Sequence, residues 1–184
     1  EALLRVPASS IEQLLHPAID ASAPQKYLCK GLPASPGAVA GAVVFSSTDA
    51  EAAQHDVILV RNETSPEDIG GMNSAKGILT AKGGMTSHAA VVARGMGKPC
   101  VTGANLDISY DSKEIKVGNA TIAEGDVITI NGATGDVILG MIPTVDPVLS
   151  DEFTEFMSWA DEVRELKVRA NAETPKDAEV AMGF

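Results

Sequence analysis

Apolar and polar residues follow two different periods along this chain. Short β-branched runs at residues 39–45, 57–60, 77–80, 127–130 and 137–139 are separated by glycine-rich turns and predict strands. Between them, Ser65-Pro66-Glu67-Asp68 sets a cap residue before a proline and two acids, which predicts a helix ending near Ala75. Residues 86–93 join a cap residue to a dense run of small apolar side chains and predict a second, largely buried helix. Beyond Pro143, Phe153, Phe156, Met157, Ala160, Val163 and Leu166 recur at helical spacing with charges between them, the pattern of an amphipathic helix. A short strand-like stretch then leads to Thr174-Pro175-Lys176-Asp177, a capping-box-like start of one more helix.

Alternating strands and helices followed by a strand-rich stretch at 115–139 predict an α/β domain, a mixed sheet flanked by helices, over residues 32–143. Residues 1–31 carry scattered Pro and Ala and one small apolar cluster, Ile11, Leu14 and Leu15, so they read as a linker holding a helical turn. Residues 144–167 read as a linker helix. Residues 168–184 are expected to open a further domain, because one strand and one helix cannot bury their own faces. The chain, which starts at Glu1 without a Met, reads as a piece of something longer.

Composition narrows the function. At 184 residues, 45% of them apolar and 21% charged, the chain can bury one domain core with flanks to spare. Aromatics at 4% leave few platforms for stacking bases, and 14 basic against 25 acidic residues give a net charge of −11. That sign disfavours a phosphate backbone or an anionic membrane as partner. Cys29 and Cys100 stand far apart with no His or Cys at metal-ligand spacing, so neither zinc nor a disulfide framework is expected, and Cys100 reads as a small buried hydrophobe. No apolar run is long enough to span a membrane and no signal-peptide order opens the chain, so a cytoplasmic location is expected.

The chemistry concentrates in residues 83–98. Gly83 and Gly84 permit a tight turn or a close approach, and Thr86 or Ser87 then caps a helix whose free N–H groups lie beside His88. A phosphoryl group on the imidazole would meet the positive end of that helix. From residue 69 to residue 106 there is no Asp or Glu, while Lys76, Lys82, Arg94 and Lys98 are present; this local +4 sits against −15 for the rest. An anionic partner near His88 is therefore expected. By spacing alone a histidine at a helix start is also compatible with a plain capping role. His16 and His55 read as solvated.

Residues 83–98, together with Gly31-Leu32-Pro33-Ala34-Ser35-Pro36-Gly37-Ala38 and Glu63-Thr64-Ser65-Pro66-Glu67-Asp68, resemble the pyruvate, phosphate dikinases among the PEP-utilising enzymes. The likeness extends along the chain, through Leu14-Leu15-His16-Pro17 to Arg169-Ala170-Asn171-Ala172-Glu173-Thr174-Pro175. It implies a swivelling β/β/α phosphohistidine domain, flanked by a linker from a nucleotide-binding domain and by the start of a substrate-binding barrel. On the matching positions, His88 is the phosphoryl carrier, Thr86 is a site of regulatory phosphorylation by a kinase and phosphatase partner, Gly84 and Ser87 shape the loop, and Arg94 is a supporting basic position on the same helix. ATP and Mg2+ are implied for domains outside this stretch, with no cofactor or metal on it, and the whole enzyme is implied to be a homodimer.

The same core motif occurs in phosphoenolpyruvate synthases, which usually carry Gly-Gly-Arg before it where this chain has Gly84-Met85. Met85 and the run that follows favour the dikinase. A non-catalytic interaction domain is the third reading, and it requires that His88 never carry phosphorus.

Overall fold

Two-residue periodicity sorts the apolar side chains onto the two faces of one sheet. A computed structural model describes residues 2–7, 10, 11, 14–20, 22–145, 150–167 and 175–182. It divides into two units, residues 7–148 and residues 1–6 with 149–184.

The strands of the larger unit are β1 (Ala18–Ile19), β2 (Lys26–Lys30), β3 (Leu32–Ser35), β4 (Ala38–Val44), β5 (Val57–Arg61), β6 (Gly77–Thr80), β7 (Cys100–Thr102), β8 (Asp107–Ser109), β9 (Glu114–Val117), β10 (Ala120–Ala123), β11 (Val127–Asn131), β12 (Asp136–Leu139) and β13 (Thr144–Val145). Its helices include α1 (Ser47–Ala52), α2 (Ile69–Ser74), which follows a 3-10 turn at Pro66–Asp68, and α3 (His88–Gly95), and Ser10, Ile11 and Leu14 are helical where a helical turn was expected. Eight strands form one mixed sheet in the order β2-β12-β11-β4-β5-β6-β7-β3. The central run β4-β5-β6-β7 is parallel and the flanking pairs are antiparallel.

Along β5, Val57 and Leu59 join Ala42, Val44, Ile78 and Cys100 on one face, packed against Ala50 of α1, Met72 of α2 and Ala89, Ala90 and Ala93 of α3. Ile58 and Val60 join Val43, Leu79 and Val101 on the other face, against Ile115 and Ile122 of a small antiparallel sheet, β10-β9-β8. The result is three layers, sheet on sheet on helix. Each fully buried Ile or Leu in these layers contributes about 1.5–3 kcal/mol. The alanines of α3 have almost no side chain to interpose, so this helix lies close on the sheet and its N-terminus is fixed relative to the strand ends.

The predicted α/β class and mixed sheet are present, and each predicted run falls within or beside an observed strand. Several elements escaped the pattern. Helix α1 was not predicted, although Ser46 caps it, its Oγ accepting from the Asp49 N–H at 3.0 Å. Strand β3 contains Pro33, and it is tolerated because β3 is an edge of the sheet. The other edge is β2, inside the stretch expected to be linker, which pairs with β12 despite a bulge at Val137/Ile138. Residues Ala18 and Ile19 of that stretch likewise pair with Thr144 and Val145.

In the smaller unit, α4 (Asp151–Val163) begins at Ser150, whose Oγ accepts from the Phe153 N–H at 3.3 Å, and it buries none of its side chains fully. Its Phe156 and Trp159 rings lie 6.4 Å apart. Helix α5 (Pro175–Met182) occurs where the capping-box-like segment predicted one. The short strand expected before it falls on residues 168–174, outside the described residues.

Candidate functional site

Strands β5 and β6 are parallel neighbours, so the loops that leave them emerge at the same edge of the sheet, where α/β folds gather their sites. These loops are bonded to each other, with the Ala81 N–H donating to the Arg61 carbonyl at 3.0 Å and the Lys82 N–H to the Asn62 carbonyl at 2.9 Å. One loop then delivers Thr64 and the other delivers His88. They meet with Thr64 Oγ1 3.0 Å from His88 Nδ1.

His88 is the first residue of α3 and is partly exposed. Ser87 is the residue that caps the helix: its backbone is extended and its Oγ accepts from the Ala90 N–H at 3.4 Å. Thr86 is exposed and outside the helix. The ring of His88 lines a cleft of about 250 Å³ together with Glu63, Thr64, Thr80, Lys82, Gly83, Ser87 and Ala89. Its Nε2 has no hydrogen-bond partner among the described residues, while Nδ1 is engaged by Thr64. A neutral imidazole that donates Nδ1–H to a hydroxyl presents the Nε2 lone pair as its nucleophile.

The turn before His88 depends on Gly83, whose φ is +100°, and a Cβ there would lie 3.0 Å from Cβ of Ser87. The expected role of Gly84 is weaker than the sequence implied, because its φ is not positive and a Cβ would meet nothing within 4 Å. A second glycine, Gly103 with φ +62°, packs under the turn, its absent Cβ only 2.8 Å from the Gly83 carbonyl oxygen.

The four cations of the acid-free stretch separate in space. Arg94 reaches back along α3, its Nε donating to the Ala34 carbonyl at 2.6 Å and its Nη2 to the Met85 carbonyl. It therefore ties the loop before His88 to strand β3. Lys98 lies past the far end of α3 and donates to the carbonyls of Asn73 and Ala75. Burial, with Lys76 nearby, holds the Lys98 ammonium below the usual lysine range. Lys76 itself pairs with Asp56 at 3.6 Å. Only Lys82 of the four lines the cleft, and the fold sets the acid Glu63 there as well. The expected concentration of positive charge around His88 is thus reduced to one lysine plus the helix terminus.

Thr64 escaped the sequence reading as a site residue, although the segment holding it was singled out. The available signal was its position just past a predicted strand in a βα unit. Elsewhere, Cys100 is fully buried, and burial pushes its thiol up to about 12. His55 is exposed and His16 half-buried. Among the described residues no group of three or more His, Cys, Asp or Glu side chains is placed to hold a metal ion, and no helix is long and apolar enough to cross a membrane.

Residues 53–135 match the family described as PEP-utilising enzyme, mobile domain. This span contains β5, β6, α3 and the whole cleft. The entire chain is 54% identical to a pyruvate, phosphate dikinase from Rickettsia typhi and 53% identical to one from Rhizobium meliloti. A chloroplastic pyruvate, phosphate dikinase from Flaveria pringlei is 54% identical over 96% of the chain. The likeness read from the motifs therefore holds along the full sequence. The chain spans about a fifth of those relatives, 21%, 21% and 19% of their lengths. Among solved structures, an Enzyme I solution structure aligns with 61% of this chain and 40% of its own at 20% identity and a TM-score of 0.37. An aconitase X from Thermococcus kodakaraensis aligns with 65% of this chain and all of its own at 17% identity and a TM-score of 0.40.

Proposed function

We propose that this chain, whose residues 53–135 belong to the mobile-domain family of PEP-utilising enzymes, is the phosphoryl-carrying part of a pyruvate, phosphate dikinase. The overall reaction is ATP, phosphate and pyruvate going to AMP, pyrophosphate and phosphoenolpyruvate. The observation that supports it best is the state of His88, a ring partly exposed at a helix N-terminus, held at Nδ1 by Thr64 and without a partner at Nε2.

In this reading His88 Nε2 attacks the β-phosphorus of ATP and takes a pyrophosphoryl group as AMP leaves. Inorganic phosphate then carries off the outer phosphoryl as pyrophosphate, and His88 returns the inner one to the enol oxygen of pyruvate. The first N–H groups of α3 and the Lys82 ammonium face the charge that arrives with the phosphoryl group. Mg2+, when bound with ATP, would neutralise phosphate charge, and it would be held by segments beyond this chain, as would ATP and pyruvate. The parts of the expected linkers 1–31 and 144–167 that lie outside strands β1, β2 and β13 would let the carrier swivel, with residues 168–184 beginning the pyruvate-side barrel. A homodimeric, cytoplasmic enzyme and a regulatory kinase and phosphatase acting at exposed Thr86 complete the proposal.

The deciding experiment replaces His88 by Ala in the full-length enzyme and follows two exchanges, ATP with AMP and pyruvate with phosphoenolpyruvate. Both should vanish while the fold, read by circular dichroism, is unchanged. Retention of either exchange refutes the assignment. A requirement for inorganic phosphate separates the dikinase from a phosphoenolpyruvate synthase, which uses water at that step.

A further inference from the structure

The reaction described above makes no use of the most deeply buried acid beside the site. Asp68 is 4% exposed, at the end of the 3-10 turn Pro66–Asp68. Its Oδ2 accepts from the Ser65 N–H at 2.9 Å and lies 3.3 Å from Ser65 Oγ, while its Oδ1 lies 3.3 Å from Nε of Arg61. Arg61 is the last residue of β5; its Nη1 donates to the Phe45 carbonyl at 3.1 Å, and its guanidinium lies 5.5 Å from the centre of the Tyr110 ring. Tyr110 in turn accepts from the Asn62 N–H at 2.9 Å through its hydroxyl. Asn62 before and Ser65 after Glu63 and Thr64 are thus each held by hydrogen bonds, and Asp68 faces Arg61 as an ion pair.

Thr64 is the loop's contact with His88. A threonine at a free loop tip samples many positions and its hydroxyl is as ready to donate as to accept. Fixing the residues before and after it removes the positional freedom at little further entropic cost, and keeps the hydroxyl within reach of the ring. We propose that Asp68 is a positioning residue: through Ser65 and Arg61 it holds Thr64 as acceptor for Nδ1–H of His88, which selects the ring tautomer that leaves Nε2 unprotonated. The consequence for catalysis rests on His88 being the phosphoryl carrier; the tautomer selection does not.

A buried carboxylate in a capping box has an ordinary role in holding its own turn, so the test needs a signal that stability alone does not move. That signal is the tautomer ratio of the neutral His88 ring, read from its ring-nitrogen chemical shifts in the nitrogen-15-labelled 184-residue chain. The unaltered chain should show mainly Nδ1–H. Thr64→Val sets the ratio for a ring without its acceptor. Asp68→Asn, which keeps the shape and can still accept from Ser65 N–H but loses the charge facing Arg61, should move the ratio at least half of that way. In the full-length enzyme the same variant should slow phosphohistidine formation about tenfold, the size of one lost hydrogen bond, with the KM for ATP unchanged. Added to Thr64→Val it should slow the reaction by no more than about twofold further, since both act through one contact.

An unchanged tautomer ratio in Asp68→Asn, or an equal penalty with and without Thr64, overturns the proposal and leaves Asp68 as a cap. Where Asp68→Asn fails to fold, Ser65→Ala removes one contact and leaves the ion pair; it should shift the ratio in the same direction by less, and no shift overturns the proposal. A shifted ratio in an enzyme that never forms phosphohistidine supports the positioning role and overturns the carrier reading instead.

Discussion

Thr64 Oγ1 and His88 Nδ1 lie 3.0 Å apart, although 24 residues of chain and a whole strand separate them. The contact exists because β5 and β6 are parallel and adjacent, so that two loops leave the same edge of the sheet together. Replacing Thr64 by Val removes the acceptor while keeping the branched shape. The expected result is a loss of about tenfold in phosphohistidine formation, as befits one hydrogen bond, and a Thr64→Ser variant that retains most of the rate. Single-turnover labelling of the full-length enzyme reads both.

Ser87 contributes to stability as well as to the site. It satisfies the Ala90 N–H at the start of α3, so Ser87→Ala should destabilise the fold by about 1 kcal/mol, and Ser87→Asp should recover most of that loss. Urea unfolding curves of the three proteins decide it, with the midpoint moving and the slope unchanged.

The two glycines before Met85 should behave differently. At Gly83 an alanine would need φ +100° with its Cβ 3.0 Å from Ser87 Cβ, so Gly83→Ala should cost about 1–3 kcal/mol and displace the cap. At Gly84 an alanine meets nothing within 4 Å, and Gly84→Ala should change stability by less than about 0.5 kcal/mol. Thermal unfolding of the pair separates a conformational requirement from a sequence habit.

Much of this architecture was legible in the sequence. The β-branched runs were visible because each strand of the central sheet is buried on both faces, and α3 because its alanines follow a clear cap. What escaped were features whose cause lies across space. Pro33 masks β3, which only its place at a sheet edge permits. Strand β2 carries Lys26 and Lys30 at its ends around only three apolar residues, Tyr27-Leu28-Cys29, yet its pairing with β12 makes it part of the sheet. The acid-free stretch pointed to His88 but suggested too large a field: Arg94, Lys98 and Lys76 are engaged with carbonyls or with Asp56, while Glu63 arrives in the cleft from outside the stretch. Thr64 was hidden for the same reason, since nothing in a linear pattern states which strands are neighbours.

Cys100 should make the fold sensitive to alkali. Its thiol is raised from 9.0 to about 12 by burial, so the folded state retains its proton where the unfolded chain gives it up. The resulting stabilisation is fully present below pH 9 and is lost as pH rises from 9 toward 12, with a slope of about 1.4 kcal/mol per pH unit. A Cys100→Ala variant lacks that term, so the stability difference between the two proteins, measured by urea unfolding at pH 7, 9 and 10.5, should shrink above pH 9. An unvarying difference would show that the buried thiol titrates alike in both states.

In the proposed reading Thr86 is the position for regulation, because it is exposed while its neighbour Ser87 caps the helix that begins at His88. Its side chain makes no hydrogen bond to the described residues, so a charge there disturbs no existing contact. A phosphate on Thr86 would place about −1.5 to −2 charges two residues from the imidazole, where it would repel a polyanionic donor. The helix terminus and Lys82, which in that reading would receive the donor, would then face a fixed anion. Thr86→Asp should therefore leave the melting temperature unchanged and depress phosphohistidine formation from ATP by about tenfold or more, and the loss should lessen at high salt, where charges are screened. Thr86→Val, equally bulky and neutral, should retain activity. Equal losses in both variants would mean that shape, not charge, matters at this position, and the regulatory reading would fall.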